Sequence, residues 1–190
     1  MNDNDFIRKD KVPMTKEEIR AISILKLELN DTKTLLDIGG GSGSVSIEAC
    51  VNYKELKTTI IEKKENALEL INLNKDKFNV RNLEIIKGNA PVDGLVQKFD
   101  RIFIGGGGMD LDIIIDWATK LLNKKGVMVI NVITLQSFNL ALESIKKLED
   151  HYDILVDTSM VQVNKLNKLA KYDYFKPLNP VYIIQIKFND

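Results

Sequence analysis

Four glycines fall within five residues in the stretch LLDIGGGSGSVSIEA, Leu35–Ala49, between an apolar run and a helical pattern. Glycine alone reaches positive φ without penalty and lets a backbone approach a ligand with no Cβ in the way. A strand, a tight glycine turn and a helix form the opening of a parallel βα unit, with the ligand held at the turn. The following residues repeat the alternation. Strands are predicted at Thr34–Ile38, Thr58–Glu62, Leu83–Lys87, Arg101–Ile104 and Val127–Ile133, and helices at Val45–Tyr53, Lys64–Phe78, Leu111–Leu122 and Gln136–Leu148. Pro91–Gln97 carries only a weak helical pattern. Such alternation requires right-handed crossovers and therefore a mostly parallel sheet with helices on both faces.

Upstream, VPMTKEEIRAISILKLEL predicts a helix capped by Thr15, with Glu18 closing a capping box and Ile19, Ile22, Leu25 and Leu29 along one apolar face. Downstream the rhythm breaks. Tyr152–Val163 and Val181–Phe188 are strand-like, and the polar segment NKLNKLAKYDYFKPLNP between them shows no strong helical pattern. Strands without a crossover helix should pair antiparallel. The expected organisation is one domain over 1–190: an N-terminal helical segment at 1–30, a cofactor-binding βα core at 31–150 and a C-terminal β-hairpin at 151–190.

Composition narrows the partners. Twenty-seven basic residues balance 27 acidic ones, which provides no whole-chain basic field to hold nucleic acid. The lone cysteine, Cys50, cannot form an internal disulfide; it suits a reducing compartment and reads as a small buried hydrophobe. Met1–Asp10 is too polar for a signal peptide, and no apolar run approaches the ~20 residues that span a bilayer. A soluble, cytoplasmic protein without a membrane partner is expected. No His/Cys/Asp cluster has metal-ligand spacing, and His151, at a helix-to-strand junction, reads as structural.

The glycine loop discriminates between two cofactors. A dinucleotide requires G-x-G-x-x-G/A. From Gly39 the third glycine position is Ser44, from Gly41 it is Ser46, and from Gly40 the second is Ser42, so no register fits. The loop does match Asp37-x-Gly39-x-Gly41-x-Gly43, the D-x-G-x-G-x-G pattern of S-adenosylmethionine-dependent methyltransferases. That cofactor carries an ammonium and a sulfonium, which an acidic Asp37 suits directly or through water. Gly40 and Ser42 complete the loop. Glu62 ends the second strand about 20 residues on, where a carboxylate can accept from both ribose hydroxyls. After the third strand, Asn89 can accept from an adenine amino group and Ala90 leaves room for the ring. For Asn89 a plain turn role is the alternative. Five βα units followed by a strand pair also match the class I methyltransferase layout, a Rossmann-like sheet of seven strands with the last antiparallel.

Across nearly its whole length the chain resembles the decarboxylating cobalt-precorrin-6B carbon-15 methyltransferases of anaerobic cobalamin biosynthesis. The resemblance is carried by FIRKDKVPMTKEEIRA (Phe6–Ala21), the glycine loop, NLEIIKGNAP (Asn82–Pro91), IFIGGGG (Ile102–Gly108), GVMVINVITLQS (Gly126–Ser137) and KPLNPVYII (Lys176–Ile184). It implies a homotetramer, a tetrapyrrole that loses the carboxyl of its carbon-12 acetate and gains a methyl on carbon 15, and cofactor contacts from Thr15, Gly39 to Gly43, Glu62 and Ala90. Asn89, where many relatives have aspartate, and Met109-Asp110 after the glycine run depart from the family pattern.

The sulfonium already activates its methyl group and the conjugated macrocycle is an electron sink, so positioning and exclusion of water should do most of the catalysis. No catalytic residue is assigned. Gly105, Gly106, Gly107 and Gly108, at the end of the fourth strand, would admit a flat macrocycle against the backbone. Its carboxylates call for cations: Arg8, Lys9 and Lys11 near the N-terminus, and Lys165, Lys168, Lys171 and Lys176 in the late segment. Thr134 and Tyr172 could add hydroxyls. The alternatives are a class I methyltransferase acting on RNA or protein and a protein that binds S-adenosylmethionine without turnover. The Asn/Asp-Pro-Pro-Tyr/Phe motif of amino-directed enzymes is missing after the fourth strand, where Gly105–Gly108 stand instead.

Overall fold

The computed structural model describes residues 1–189. Among them, in chain order, run a 3-10 turn (Asp3–Asp5), α1 (Glu17–Lys26), β1 (Thr34–Ile38), α2 (Ser44–Asn52), β2 (Lys57–Glu62), α3 (Glu65–Lys77), β3 (Leu83–Lys87) and β4 (Phe99–Ile104). A second 3-10 turn (Gly108–Asp110) leads into α4 (Leu111–Leu121), β5 (Leu122–Val132), α5 (Leu135–Glu149), β6 (Ile154–Val161), β7 (Asn164–Leu169), β8 (Tyr172–Pro177) and β9 (Val181–Phe188).

Seven strands form one sheet in the order β3-β2-β1-β4-β5-β9-β6, and β7 and β8 form a separate antiparallel ribbon. β1 to β5 pair parallel, while β9 runs antiparallel to both β5 and β6, so the last strand is the reversed one. The fold is the Rossmann-like class I methyltransferase architecture expected from the alternation. Successive strand residues point to opposite faces. Leu36, Ile38, Ile102, Ile104, Met128 and Ile130 pack on α4 and α5 through Ile114, Ile115, Ala118, Ala141 and Ile145. Leu35, Phe103, Val127 and Val129 face the other way onto Ile19 and Ile24 of α1 and Val45 and Ala49 of α2. Toward the β3 edge, Ile47, Cys50, Ile60, Ile71 and Leu83 close a third cluster with Phe6, and Cys50 is buried as expected.

β1 lies between β2 and β4, at the point where the strand order reverses. A crevice opens there beyond the carboxyl ends of the strands, which is where open α/β sheets bind their ligands.

Four expectations are corrected. The residue capping α1 is Lys16 and makes no side-chain cap bond; Thr15 is not the cap. Thr15 instead gives its carbonyl to Arg20 Nη1 at 2.6 Å, and Glu18 bonds Lys165 rather than completing a capping box. Leu25 is 75% exposed, because the buried face of α1 is Ile19, Arg20, Ser23 and Ile24. Arg20 takes that core place because its charge is met: Nε donates to Glu48 Oε2 at 2.5 Å, Nη1 to Asp3 Oδ1 at 3.2 Å and Nη2 to the Met1 carbonyl at 2.6 Å, with the Phe6 ring 4.9 Å away. Pro91–Gln97 forms no helix, so β3 returns to β4 by an irregular segment. The polar Asn164–Pro177 stretch folds as the β7–β8 ribbon, where cross-strand pairs rather than apolar periodicity supply the order. Among the described residues, no helix is long and apolar enough to cross a membrane.

Arg20 is fully buried among carboxylates and carbonyls, so Arg20→Met should leave Glu48 with the Met1 ammonium alone and Asp3 with Lys16 alone, and cost about 3–5 kcal/mol. Urea unfolding should show Glu48→Gln, added to Arg20→Met, recovering part of that loss.

Candidate functional site

The glycine turn is fixed on three sides. Gly39 N donates to Ile61 O at 2.9 Å, Gly43 N to Gly40 O at 2.8 Å, and Ser42 N to Pro13 O at 3.1 Å. At Gly40 an added Cβ would overlap Ile60 Cγ2. At Gly41, with φ 54°, it would lie 2.7 Å from the Pro13 carbonyl oxygen. The turn therefore requires glycine for both close approach and handedness.

Glu62, buried at the end of β2, reaches across this turn. Its Oε2 accepts from Gly41 N at 2.9 Å, and Oε1 accepts from Lys63 N and Lys64 N, each at 2.9 Å. Three of roughly four acceptor sites on the carboxylate are thus committed to main chain. With these bonds kept, one site remains for a ligand hydroxyl, not the two expected from the sequence. Asn89 Oδ1 accepts from Lys63 Nζ at 3.0 Å.

Two cavities meet above the sheet. The smaller, about 280 Å³, is the β1–β4 crevice; Gly39, Gly41, Glu62, Asn89, Ala90 and Gly105–Gly108 all line it. The larger, about 640 Å³, is bounded by Pro13–Lys16, the end of β5 with Thr134 and Ser137, and the Pro177–Asn179 turn. Pro13, Gly105, Gly106 and Gly108 line both, so the glycine strap after β4 and the Pro13 lip stand between the two spaces. Asn131 lines the larger cavity; its Nδ2 donates to Ser23 Oγ at 2.8 Å, and its Oδ1 has no partner among the described residues.

The expected residues divide between site and surroundings. Asp37 lies behind the crevice and does not line it: it is 1% exposed, and its Oδ2 accepts from Ser46 Oγ on α2 at 2.6 Å. Burial pushes its carboxyl up to about 7; the Ser46 bond opposes this and the nearby Glu62 charge adds to it. Gly40, Ser42 and Gly43 shape the turn from behind. Thr15 lines the larger cavity rather than the crevice, and Thr134 lies there too, accepting from Ser137 N at 3.1 Å.

The expected cations are elsewhere. Arg8, Lys165, Lys168, Tyr172 and Lys176 line neither cavity. Lys9 pairs with Glu69 instead. Lys165 bonds Glu17 and Glu18, each at 2.5 Å, and these carboxylates, Glu17 first, raise its pKa well above the usual lysine range. Lys165 and Lys176 are cross-strand partners, so Lys168 projects from the opposite face of the ribbon and the three cannot share a wall. Sequence reasoning missed Pro13, Lys16, Asn131 and Asn179 as lining residues, although all four fall within the segments that carry the family resemblance.

The buried Asp37 implies a pH dependence with a definite sign. Its folded pKa lies above the ordinary carboxylate value, so between about pH 4 and 7 the folded chain keeps a proton that the unfolded chain releases. Stability therefore falls as pH rises through that window, by at most about 1.4 kcal/mol per pH unit from this group, and levels off above it. Asp37→Asn should gain on wild type across the same window in urea melts at stepped pH.

Comparison with known proteins gives the family and the fold. A family model described as the precorrin methyltransferase domain covers residues 5–187. The cobalt-precorrin-6B C(15)-methyltransferase (decarboxylating) of Salmonella typhimurium is 38% identical over 184 residues, 97% of this chain and 94% of that protein. The crystal structure of precorrin-6Y C5,15-methyltransferase from Geobacter metallireducens superposes with a TM-score of 0.87 at 38% identity, covering 98% of this chain and 96% of that one. The precorrin 8w decarboxylase structure from Methanobacterium thermoautotrophicum shares the fold, with a TM-score of 0.86 at 23% identity over 97% and 98% of the two chains. With the family model covering nearly every residue and a relative of this similarity matched along almost its full length, the chain belongs to the precorrin methyltransferase family.

Proposed function

We propose that this chain transfers the methyl group of S-adenosylmethionine to carbon 15 of a cobalt-precorrin and releases the carbon-12 acetate carboxyl as carbon dioxide. The observation that carries the proposal is the meeting of two cavities at Gly105, Gly106 and Gly108, since methyl transfer needs cofactor and substrate on either side of a narrow boundary. The named reaction of the Salmonella relative supports the substrate.

The crevice fits the cofactor. Gly39 and Gly41 present bare backbone, Glu62 offers a free acceptor site beside the turn, and Ala90, 4% exposed, leaves a slot where a larger side chain would stand. When bound, S-adenosylmethionine supplies a methyl group activated by its sulfonium. Glu62 would hold a ribose hydroxyl while its bond to Gly41 N keeps the turn closed. Asn89, whose oxygen already accepts from Lys63, would meet the adenine edge with its remaining donors. Gly105–Gly108 would let a flat ring system lie against main chain, and the Pro13 lip would keep water from the reacting carbon.

The homo-oligomer implied by the resemblance would cover the apolar side chains left exposed on the β7–β8 ribbon, among them Leu166, Leu169, Tyr172 and Phe175. A two-stranded ribbon is marginal in water without such cover.

The test is incubation with methyl-labelled S-adenosylmethionine and cobalt-precorrin-6B. Labelled corrinoid with one equivalent of carbon dioxide is expected; cofactor binding with neither product would support a sensing protein instead. Glu62→Gln should weaken S-adenosylhomocysteine binding by roughly 1–3 kcal/mol in calorimetry. Unchanged affinity would remove Glu62 from the site.

A further inference from the structure

We infer that Lys16 anchors a carboxylate of the macrocycle, and that the group it holds is not the one lost as carbon dioxide. The inference rests on the functional reading above and deepens it.

Among the described residues, Lys16 is the only cation lining the larger cavity, and no carboxylate lines it. Lys16 and Thr134 immediately precede α1 and α5, so two helix N-termini add partial positive charge at the same space. Lys16 has one acidic partner, Asp3, and that carboxylate is not its alone. Glu17 and Glu18 are both taken up by Lys165, and Asp3, 3.4 Å from Lys16 Nζ, is shared with Arg20. Lys165, expected from the sequence to touch substrate, instead pairs with the two carboxylates that follow Lys16 in the chain. Asn131, Thr134, Ser137 and Asn179 supply neutral polar groups around the same cavity.

The choice of carboxylate follows from the direction of charge movement. Decarboxylation carries negative charge out of the carboxylate and into the ring. A cation held against the departing group would stabilise the ground state more than the transition state and slow the reaction. Lys16 therefore suits an acidic side chain that survives turnover, and it orients the ring from there.

The experiment uses the full chain as wild type, Lys16→Gln and Lys16→Arg. Cobalt-precorrin-6B binding is followed by its visible absorbance in the presence of S-adenosylhomocysteine, and carbon dioxide and methyl incorporation are measured in turnover. Lys16→Gln should weaken corrinoid binding about tenfold and raise KM in step, with S-adenosylhomocysteine affinity and the ratio of carbon dioxide to methyl unchanged. Lys16→Arg, which keeps the charge, should recover most of the binding. Equal corrinoid binding by wild type and Lys16→Gln would overturn the inference. Faster carbon dioxide release than methyl transfer in Lys16→Gln would place Lys16 on the departing carboxylate and overturn its second half. A wild-type protein that binds the corrinoid through Lys16 but releases no carbon dioxide would overturn the functional reading and leave the anchor standing; one that binds none would overturn both.

Discussion

A single buried carboxylate holds the centre of this molecule together. Glu62 closes β2 and accepts from Gly41 of the neighbouring turn and from the two amides that follow it in the chain. It adds a side-chain restraint at Gly41 to the main-chain bonds of Gly39, Ser42 and Gly43, in a turn whose glycines lose more freedom on ordering than any other residue. The carboxylate thus offsets the entropy of the loop while keeping an acceptor site open to the crevice. Positioning and ligand recognition are served by one group, and the positive-φ glycines become a rigid wall.

The second wall comes from a distant part of the chain. The segment before α1 is drawn over the glycine turn by the Pro13 carbonyl, which accepts from Ser42 N. Asn74 on α3 ties Ile7 and Ser42 together, accepting from Ile7 N at 2.8 Å and donating to Ser42 O at 3.1 Å. Arg20 fixes the same segment from α1 through the Thr15 and Met1 carbonyls. These contacts replace solvent on polar groups that would otherwise be buried unpaired. Their geometric result is the Pro13 lip, which with the glycine strap separates two cavities of different size and charge.

β1, β2, β4 and β5 were legible because they are buried on both faces over most of their length, which requires apolar runs that stand out against amphipathic helices. The predicted bounds of β1 and β3 coincide with the observed ones, whereas β5 begins five residues earlier than Val127, at Leu122, its first turn of strand hidden by Asn123, Lys124 and Lys125. The β7–β8 ribbon escaped notice for a related reason: both its faces are exposed, so no period-two apolar signal marks it. Gly39, Gly41, Glu62, Asn89 and Ala90, singled out at the ends of three successive strands, line the crevice, because the carboxyl ends of neighbouring parallel strands open on the same side of the sheet. Arg8, Lys165, Lys168 and Lys176 line neither cavity, and charge spacing in sequence does not say which acid each will meet. Lys165 finds Glu17, 148 residues away.

The sequence by itself determined the layering of the sheet, the turn that must be glycine and the acid that follows it, since each depends on local chain geometry and on which residues can be buried. Tertiary structure alone decided that Asp37 turns its back on the crevice, that Arg20 belongs to the core and that Lys16, rather than the lysines of the late ribbon, faces the larger cavity. Those outcomes depend on partners brought together only by folding. A charged side chain settles where its counter-charges are, and their positions in space are not written in their spacing along the chain.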